Sequence, residues 1–578
     1  MTDSNFDKMR IKQFQFTWYR LSKKKYVFIF FAITINLLDL LGVIMIASIG
    51  TYIPDSRSKE NLITQVIDNV KDRLQLNQYE TIYALTLIGL LFLILRSFVN
   101  LILSRNLSFY LGKQMKLLST KITDLAFKEK LHNRDMYTSQ DVFYQATYGT
   151  YQTIIVLGYS IIYFISDLVL LTILISFSLW YSASLTLSLI IILACSGVVL
   201  QKYIRPDLKI IGNVIASSNI VGNRKIGYLH ENFKNLYASG EINLKLLEIE
   251  SVWNNLGKAR GKQIFSQQFP KVFIEFIFLL SVGLILFLQV SKYPNEYYVV
   301  LINVGTFLII GTRLIPAFIR LNNGLIAIRT STIEAKKLVP MINAMEKSVE
   351  KHEENIEYSS NENDLKIKML NMSFGHSSGN ELYNNLTLSI PFGDKITFVG
   401  DSGSGKSTLL DLILGLRSPS SGKVTISGLP PSVFLKLNVG KVSYLSQNYV
   451  LDEGSIRFNI TNKNTSENED RKLWEILKIV ELHDFVKTLP ENLEYLVGQH
   501  NSKISGGQKQ KIGLAKALYK DPEILILDEA TNSIDSKSET IILNNILNLN
   551  YKQTLIYISH NLRTHELFEK TFYINSMK

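Results

Sequence analysis

The chain has only one cysteine in 578 residues, Cys195, and it lies inside an apolar run. A disulfide framework, a thiolate metal site and a CxxC redox pair are therefore excluded within the chain. We expect Cys195 to be a small buried side chain. Hydrophobic residues make up 47 % of the sequence and the mean hydropathy is +0.12, values that are high for a soluble protein and predict a membrane-embedded part.

Long apolar runs in the first part of the chain predict six membrane spans, since roughly 20 apolar residues cross a hydrocarbon core. The runs are 26–49, 81–103, 153–176, 182–200, 272–290 and 298–319. The first run is too long for the core of a signal peptide, so we interpret it as an uncleaved span. The first domain, 1–344, is thus predicted to be an all-α membrane domain.

The net charge of +12 permits nucleic-acid binding, but the positions of the basic residues argue against it. They concentrate before the first span and in the loops after the second and fourth, as the positive-inside rule predicts for cytoplasmic segments. Both termini are then cytoplasmic, and no nucleic-acid partner is expected. The two long basic loops have a helix-compatible composition, which predicts that spans two to five continue as helices beyond the membrane.

The segment between the first two spans contains apolar residues at helical spacing and predicts an outer amphipathic helix at about 61–76. Two interpretations stay open: a solvated cap packed on the spans, or a helix in the lipid interface that meets a lipid substrate. Residues 345–364 are polar and predict an interdomain linker. Alternating apolar patterns and a strand–helix series then predict an α/β domain with an antiparallel β subdomain over 365–578.

A phosphate-binding loop is predicted by the stretch Gly400-Asp401-Ser402-Gly403-Ser404-Gly405-Lys406-Ser407, which follows an apolar strand and leads into a helix. Its glycines let backbone N–H groups face one anionic point, and the positive end of the helix adds to the same field. Lys406 would reach the β and γ phosphates, and Ser407 would ligate Mg²⁺. The predicted nucleotide contacts are Gly400, Ser402, Gly403, Ser404, Gly405, Lys406, Ser407 and Thr408.

Two consecutive carboxylates follow the apolar strand at 524–527, and in a chain with a phosphate loop they argue for catalysis. Asp528 could hold Mg²⁺ through water, and Glu529 could polarise the attacking water.

The sequence Ile504-Ser505-Gly506-Gly507-Gln508-Lys509-Gln510 resembles the signature of ATP-binding cassette (ABC) transporters, with Ile504 in place of the usual leucine. The resemblance implies that Ser505, Gly506, Gly507 and Gln508 bind the γ-phosphate of ATP held by the phosphate loop of the opposite subunit. It also implies three further roles. Gln447 resembles the Q-loop glutamine that senses Mg²⁺, Asp535 lies in the D-loop, and His560 is the switch histidine.

The sequence departs from the pattern of this family at three positions. His376 stands where an aromatic residue usually stacks on adenine, Gln499 where exporters have glutamate, and Lys511 where arginine usually follows the signature. None of these departures removes a catalytic group, so the resemblance implies ATP hydrolysis with ATP and Mg²⁺ as ligands.

Six spans before one nucleotide-binding domain resemble an exporter-type half-transporter. One phosphate loop and one signature per chain require two chains for two composite ATP sites, so a dimer is implied. A homodimer would have two competent sites, and a heterodimer stays open.

Four basic residues lie within or near the spans, where each charge costs about 2.5–3.5 kcal/mol on insertion scales and should avoid lipid. They are Arg96, Lys271, Arg313 and Arg320. They could form internal ion pairs with Asp39, Asp167 and Glu275, or they could line a substrate cavity and hold an anionic headgroup.

The membrane motifs around these charges resemble the bacterial flippases of lipid-linked oligosaccharides. That resemblance implies an anionic lipid-linked glycan as substrate, lipid as a partner, and a location in the bacterial inner membrane. Export of peptides, amphipathic drugs or other lipids is the alternative. A membrane-tethered ATPase without transport is less favoured, because of the six spans and long loops. A peptide exporter with its own leader peptidase is disfavoured, because no N-terminal cysteine is present.

Overall fold

The computed structural model describes residues 3–48, 72–73, 75, 77–128, 137–181, 183–292, 297–334, 336–353, 366–375, 381–401, 403–463, 470–498, 504–549, 552–559 and 562–574. The chain divides into two compact units. The first comprises Met1–Glu129 and Asn133–Glu353, and the second comprises Lys130–His132 and Glu354–Lys578.

The first unit is helical throughout its described part. Its α-helices are α1 (Asp3–Arg20), α2 (Lys24–Ser48), α3 (Gln78–Lys128), α4 (Ser139–Tyr144), α5 (Leu157–Tyr181), α6 (Ala183–Glu231), α7 (Phe233–Ala238), α8 (Ile242–Lys292), α9 (Tyr297–Glu334) and α10 (Leu338–Glu353). Two π-helical segments, Gln145–Gly149 and Tyr151–Val156, join α4 to α5.

Three of these helices are far longer than the apolar runs inside them: α3 and α8 have 51 residues each and α6 has 49. At about 1.5 Å per residue, each is roughly 75 Å long, more than twice the roughly 30 Å of a hydrocarbon core. These three helices contain the predicted second, fourth and fifth spans and continue as helix well beyond the apolar runs, as predicted for these three of the spans two to five.

Four segments of the described chain are long and apolar enough to cross a membrane: Lys24–Gly42, Tyr79–Phe127, Ser139–Ser176 and Ile242–Ser291. They overlap the predicted first span, 26–49, and contain the predicted second, third and fifth spans. The predicted fourth and sixth spans lie in α6 and α9, where many side chains are outside the described set. The number of six spans therefore stays a prediction.

Two expectations about this unit need correction. Cys195 is exposed rather than buried, because its side chain lies on an outward face of α6. The predicted linker begins as helix, since α10 extends to Glu353 and buries Met341, Ile342 and Met345 on one face. Residues 346–353, whose polar composition suggested a linker, are part of this helix.

Most of the predicted outer helix at 61–76 lies outside the described residues, as do residues 354–364 of the predicted linker.

The second unit contains two main sheets. β2 (Glu381–Pro391), β1 (Lys366–Gly375) and β4 (Ser421–Ile426) pair antiparallel in that order. A parallel sheet has the order β10 (Lys570–Tyr573), β3 (Lys395–Val399), β9 (Thr554–Ile558), β8 (Ile524–Asp528) and β5 (Val442–Leu445). A short antiparallel pair joins β6 (Gly454–Ser455) to β7 (Leu496–Val497). The sheet pattern confirms the predicted α/β domain with an antiparallel part.

Helices cover the parallel sheet and bury its apolar strands in two hydrophobic clusters. They are α11 (Lys406–Ile413), α12 (Pro431–Leu437), α13 (Ile456–Thr461), α14 (Asp470–Ile479), α15 (His483–Thr488), α16 (Gly506–Tyr519), α17 (Ser536–Leu547) and α18 (Leu562–His565). Strands β8 and β9 are buried along their whole length, as expected of strands at the centre of a covered parallel sheet.

Candidate nucleotide site

Four neighbouring parallel strands bring the predicted site residues to one edge of the sheet. The phosphate loop follows β3, Gln447 follows β5, Asp528 is the last residue of β8, and Glu529 follows it. Because parallel strands share their direction, their carboxyl ends meet at the same edge, where ligands of open α/β sheets bind. His560 follows β9 but lies outside the described residues, as do Ser402, His376 and Gln499.

The phosphate loop turns tightly at two glycines with positive φ, Gly403 (81°) and Gly405 (108°). A Cβ at Gly405 would lie 2.9 Å from both Leu382 Cδ2 and Tyr383 Oη. The Tyr383 hydroxyl donates a hydrogen bond of 3.0 Å to the Gly405 carbonyl and holds this turn. The loop therefore needs glycine at residue 405 for both its conformation and its packing.

Lys406 begins α11, and its Nζ donates to the carbonyls of Gly400 (2.6 Å) and Asp401 (2.8 Å). Burial lowers the pKa of this ammonium group, while the carboxylates of Glu529, Asp401 and Asp528 oppose the shift. The side chain thus lies curled against its own loop, close enough to Asp528 and Glu529 to be influenced by their charge.

The chemistry of the loop fits a phosphate. The Ser404 hydroxyl is buried and has no hydrogen-bond partner among the described residues, so it could donate to a phosphate oxygen. Lys406 could exchange its two carbonyl partners for anionic oxygens, which bind an ammonium more strongly. Ser407 and Thr408 follow in the first turn of α11, where N–H groups lack partners within the helix.

Asp528 is a buried carboxylate at the end of β8, and burial raises its pKa. The Tyr444 hydroxyl on the neighbouring strand β5 donates a hydrogen bond of 3.1 Å to Asp528 Oδ2, which opposes that shift. A divalent cation at this position would compensate the buried negative charge.

Oxygen ligands suited to Mg²⁺ are present in Asp528, the Ser407 hydroxyl and the Gln447 side chain. No group of three or more His, Cys, Asp or Glu side chains in the described part of the chain could hold a metal by itself. The residues fit Mg²⁺ that shares its coordination with phosphate oxygens.

Glu529 follows β8 with a left-handed backbone, φ 51°. Its N–H donates to the Ile558 carbonyl at 2.9 Å, which ties this strained residue to the end of β9. Its Oε2 accepts hydrogen bonds from Gln447 Nε2 (2.7 Å) and from Asn532 Nδ2 (3.0 Å). The carboxylate of the predicted general base is thus held by two amide side chains.

The predicted signature begins α16 with a reciprocal cap. The Ser505 hydroxyl accepts from the Gln508 backbone at 3.3 Å, and the Gln508 side chain accepts from the Ser505 backbone at 2.9 Å. A Cβ on Gly507 would lie 2.8 Å from the Ser533 carbonyl oxygen, so this helix packs directly on the segment after Glu529. Asp535 caps α17 by accepting from the Ser538 N–H at 2.9 Å.

The sequence analysis did not identify Tyr444 and Asn532 as site residues. Asn532 lies three residues after Glu529, a spacing that could have suggested a local contact. Tyr444 contacts Asp528 across 84 residues of sequence, a pairing that depends on the order of the strands.

The predicted substrate cations are not all free of partners. Arg320 donates to both oxygens of Asp167 at 2.8–3.1 Å, and Arg96 Nε lies 3.3 Å from Asp39 Oδ1. For these two residues the structure favours the first of the two interpretations, internal ion pairing. Lys271 is exposed on α8, and the Arg313 side chain lies outside the described set.

The part of the chain that contains this site is similar to a known protein family. Residues 383–532 match the family model of the ABC transporter, so the second unit carries an ABC transporter domain. The chain as a whole shares its fold with a chain of a solved ABC exporter. It superposes on a chain from the "Structure of a bacterial Atm1-family ABC exporter with ATP bound" with a TM-score of 0.69 and 20 % identity, covering 93 % of this chain and 92 % of that one.

Curated relatives match over a shorter stretch. The heterocyst differentiation ATP-binding protein HepA of Nostoc sp. is 38 % identical over 200 residues, 34 % of this chain and 33 % of that protein. A multidrug resistance ABC transporter ATP-binding and permease protein of Lactococcus lactis subsp. cremoris is 33 % identical over 215 residues, 36 % of each chain. The match spans only about a third of the length of these relatives.

Proposed function

We propose that this protein is half of an ATP-driven exporter, which hydrolyses ATP in its second unit to move a substrate across a membrane through its first. The observation that carries the proposal is the gathering of Lys406, Asp528, Glu529 and Gln447 at one sheet edge, in a chain with long apolar helices. The same groups could bind a nucleotide, hold its metal and position a water.

Each residue has a proposed part in hydrolysis. Lys406 and the N–H groups of the loop bind the phosphates, and Glu529 takes the proton of the attacking water. Mg²⁺ would neutralise phosphate charge between Ser407, Asp528 and Gln447. We also propose the switch role for His560 and adenine stacking for His376.

The direct test is the ATPase activity of the purified chain in lipid nanodiscs. We expect Mg²⁺-dependent turnover in the wild type. Glu529→Gln should still bind ATP but turn over about 10²–10⁴ times more slowly, the usual contribution of a general base. Turnover in that variant at the wild-type rate would refute the assignment of the base.

A second copy of the chain is proposed to complete each nucleotide site. Each chain supplies one phosphate loop and one signature, whose helix begins after the Ser505 cap with the N–H groups of Gly506 and Gly507, which have no acceptor within the helix and could bind an anion. We propose a homodimer in the inner membrane with six spans per chain. Cross-linking after ATP binding tests this, since Glu529→Gln chains should be trapped as dimers and Lys406→Met chains should not.

For the substrate we propose an anionic lipid-linked glycan, supported by the basic residues Lys271 and Arg313 that remain after Arg96 and Arg320 are assigned to ion pairs. Peptides, amphipathic drugs and other lipids are the alternative. A panel of these compounds separates the two, because the true substrate should stimulate ATPase activity severalfold while the others do not. Stimulation by drugs or peptides but not by lipid-linked sugar would reject the glycan.

A further inference from the structure

We propose that Gln510 is a positioning residue that joins the signature helix to the two loops holding Glu529. Its side chain is only 5 % exposed and lies on α16, inside the second unit. The inference rests on the proposed ATPase function for its effect on turnover, but the hydrogen bonds that define it are present without any nucleotide.

Gln510 bonds to two separate backbone segments. Its Oε1 accepts a hydrogen bond of 2.8 Å from the Ser533 N–H, and its Nε2 donates a longer one, 3.4 Å, to the Gln447 carbonyl. A backbone N–H can only donate and a carbonyl can only accept, so these two partners determine which way the amide group is oriented.

The helix packing explains how this side chain reaches both partners. Gly506 and Gly507 bring the start of α16 onto Ser533, where a Cβ on Gly507 would meet the Ser533 carbonyl oxygen at 2.8 Å. Gln510 lies one turn after Gly506 and so faces the same segment. From there its amide group spans the space between Ser533 and Gln447.

The bridge leads to the catalytic carboxylate from both sides. Gln447, whose backbone accepts from Gln510, donates its side-chain N–H to Glu529 at 2.7 Å. Asn532, next to the Ser533 N–H that Gln510 accepts, donates to the same Glu529 oxygen at 3.0 Å. Gln510 therefore joins the backbone of the two segments whose amide side chains orient Glu529.

Two variants separate the two bonds. Gln510→Met removes both with little change in length, whereas Gln510→Glu keeps an acceptor for the Ser533 N–H and loses the donor to Gln447. Gln553→Met is the matched control, since Gln553 is also buried, at 3 %, and donates to the Pro522 carbonyl at 3.0 Å away from this site.

The first readout is hydrogen exchange of the Ser533 amide in the full chain without nucleotide. Exchange should be about tenfold or more faster in Gln510→Met, because the amide loses its acceptor, and near wild type in Gln510→Glu and Gln553→Met. The second readout is ATPase kinetics. Both Gln510 variants should lower kcat about tenfold or more with the KM for ATP within about twofold, since Glu529 loses its orientation while the phosphate loop is intact.

Equal exchange at Ser533 in wild type and Gln510→Met would overturn the bridge. A kcat that falls no more in the Gln510 variants than in Gln553→Met would overturn its positioning role. A wild type without ATPase activity would instead reject the proposed function, while the exchange experiment would still decide whether the bridge exists.

Discussion

The ion pair between Arg320 on α9 and Asp167 on α5 offers a quantitative test of the helical unit. The guanidinium forms three contacts with the carboxylate, at 2.8, 3.0 and 3.1 Å. The Asp167 side chain is 3 % exposed and that of Arg320 is 46 % exposed. Replacing Arg320 by methionine would keep most of the packing and leave a buried carboxylate without its cation.

The expected cost follows from that burial. Breaking a buried pair by removing one partner costs about 3–5 kcal/mol, and the half-exposed arginine places this pair at the lower end, about 3 kcal/mol. At roughly 2 °C per kcal/mol for a large unit, the apparent Tm should fall by about 6 °C. Removing both charges, with Asp167→Leu and Arg320→Met together, should restore most of this loss because no charge is left buried.

The assay is thermal unfolding in one detergent, with Lys271→Met as the control for loss of an exposed cation from a neighbouring helix. The control should unfold within about 1 °C of wild type, as expected for an exposed site. An Arg320→Met variant as stable as wild type would refute the structural role of the pair. A double variant no better than the single one would refute the argument from the unpaired carboxylate.

The remaining predictions concern the second unit and Cys195. Gly507→Ala should lower the thermal stability of the chain without nucleotide, because its Cβ would meet the Ser533 carbonyl oxygen at 2.8 Å, whereas Gly506→Ala, with its nearest neighbour at 3.5 Å, should unfold close to wild type; equal effects would contradict the steric argument. Burial raises the pKa of the Asp528 carboxyl above its ordinary value of 3.8. At a pH above the pKa of the folded state, ionisation of this carboxyl destabilises the folded protein. Below pH 3.8 the carboxyl is protonated in both the folded and the unfolded state and has no effect on stability. Asp528→Asn should therefore be more stable than wild type at neutral pH without nucleotide, with a gap in denaturation free energy that closes toward pH 4; a gap independent of pH would contradict this. Cys195→Val should unfold within about 1 °C of wild type, because an exposed side chain has few packing contacts to lose, and a much larger change would show that the thiol is buried.

Local patterns in the sequence were sufficient to predict the strands and helices around the candidate nucleotide site. The strand at 395–399, the glycine-rich turn and the helix after Lys406 are consecutive, so hydrophobic alternation and glycine spacing were sufficient to place them. The carboxylates at Asp528 and Glu529 followed from a buried strand in the same way, because a parallel strand presents its carboxyl end at the ligand edge.

Such local patterns could not predict contacts between distant parts of the chain. The sequence supplied both Arg320 and Asp167 but not their pairing, which joins two helices across 153 residues. The Gln510 bridge depends likewise on how α16 packs against the segment around Ser533. Polar composition after Met345 suggested a linker, whereas α10 continues to Glu353. The buried apolar residues of this helix that mark its packed face, Met341, Ile342 and Met345, are too few to predict from the sequence that the helix extends into the polar segment.

The central claim, that ATP hydrolysis in the second unit moves a substrate through the first, is tested most directly by leaflet exchange in proteoliposomes. A short-chain fluorescent lipid-linked sugar is placed in the membrane, and its loss from the ATP-facing leaflet is followed by quenching. We expect transfer with Mg²⁺ and ATP in the wild type and none with Glu529→Gln. Undiminished ATPase activity without movement of this lipid, or of any drug, peptide or lipid tested beside it, would contradict the account and identify a membrane-tethered ATPase.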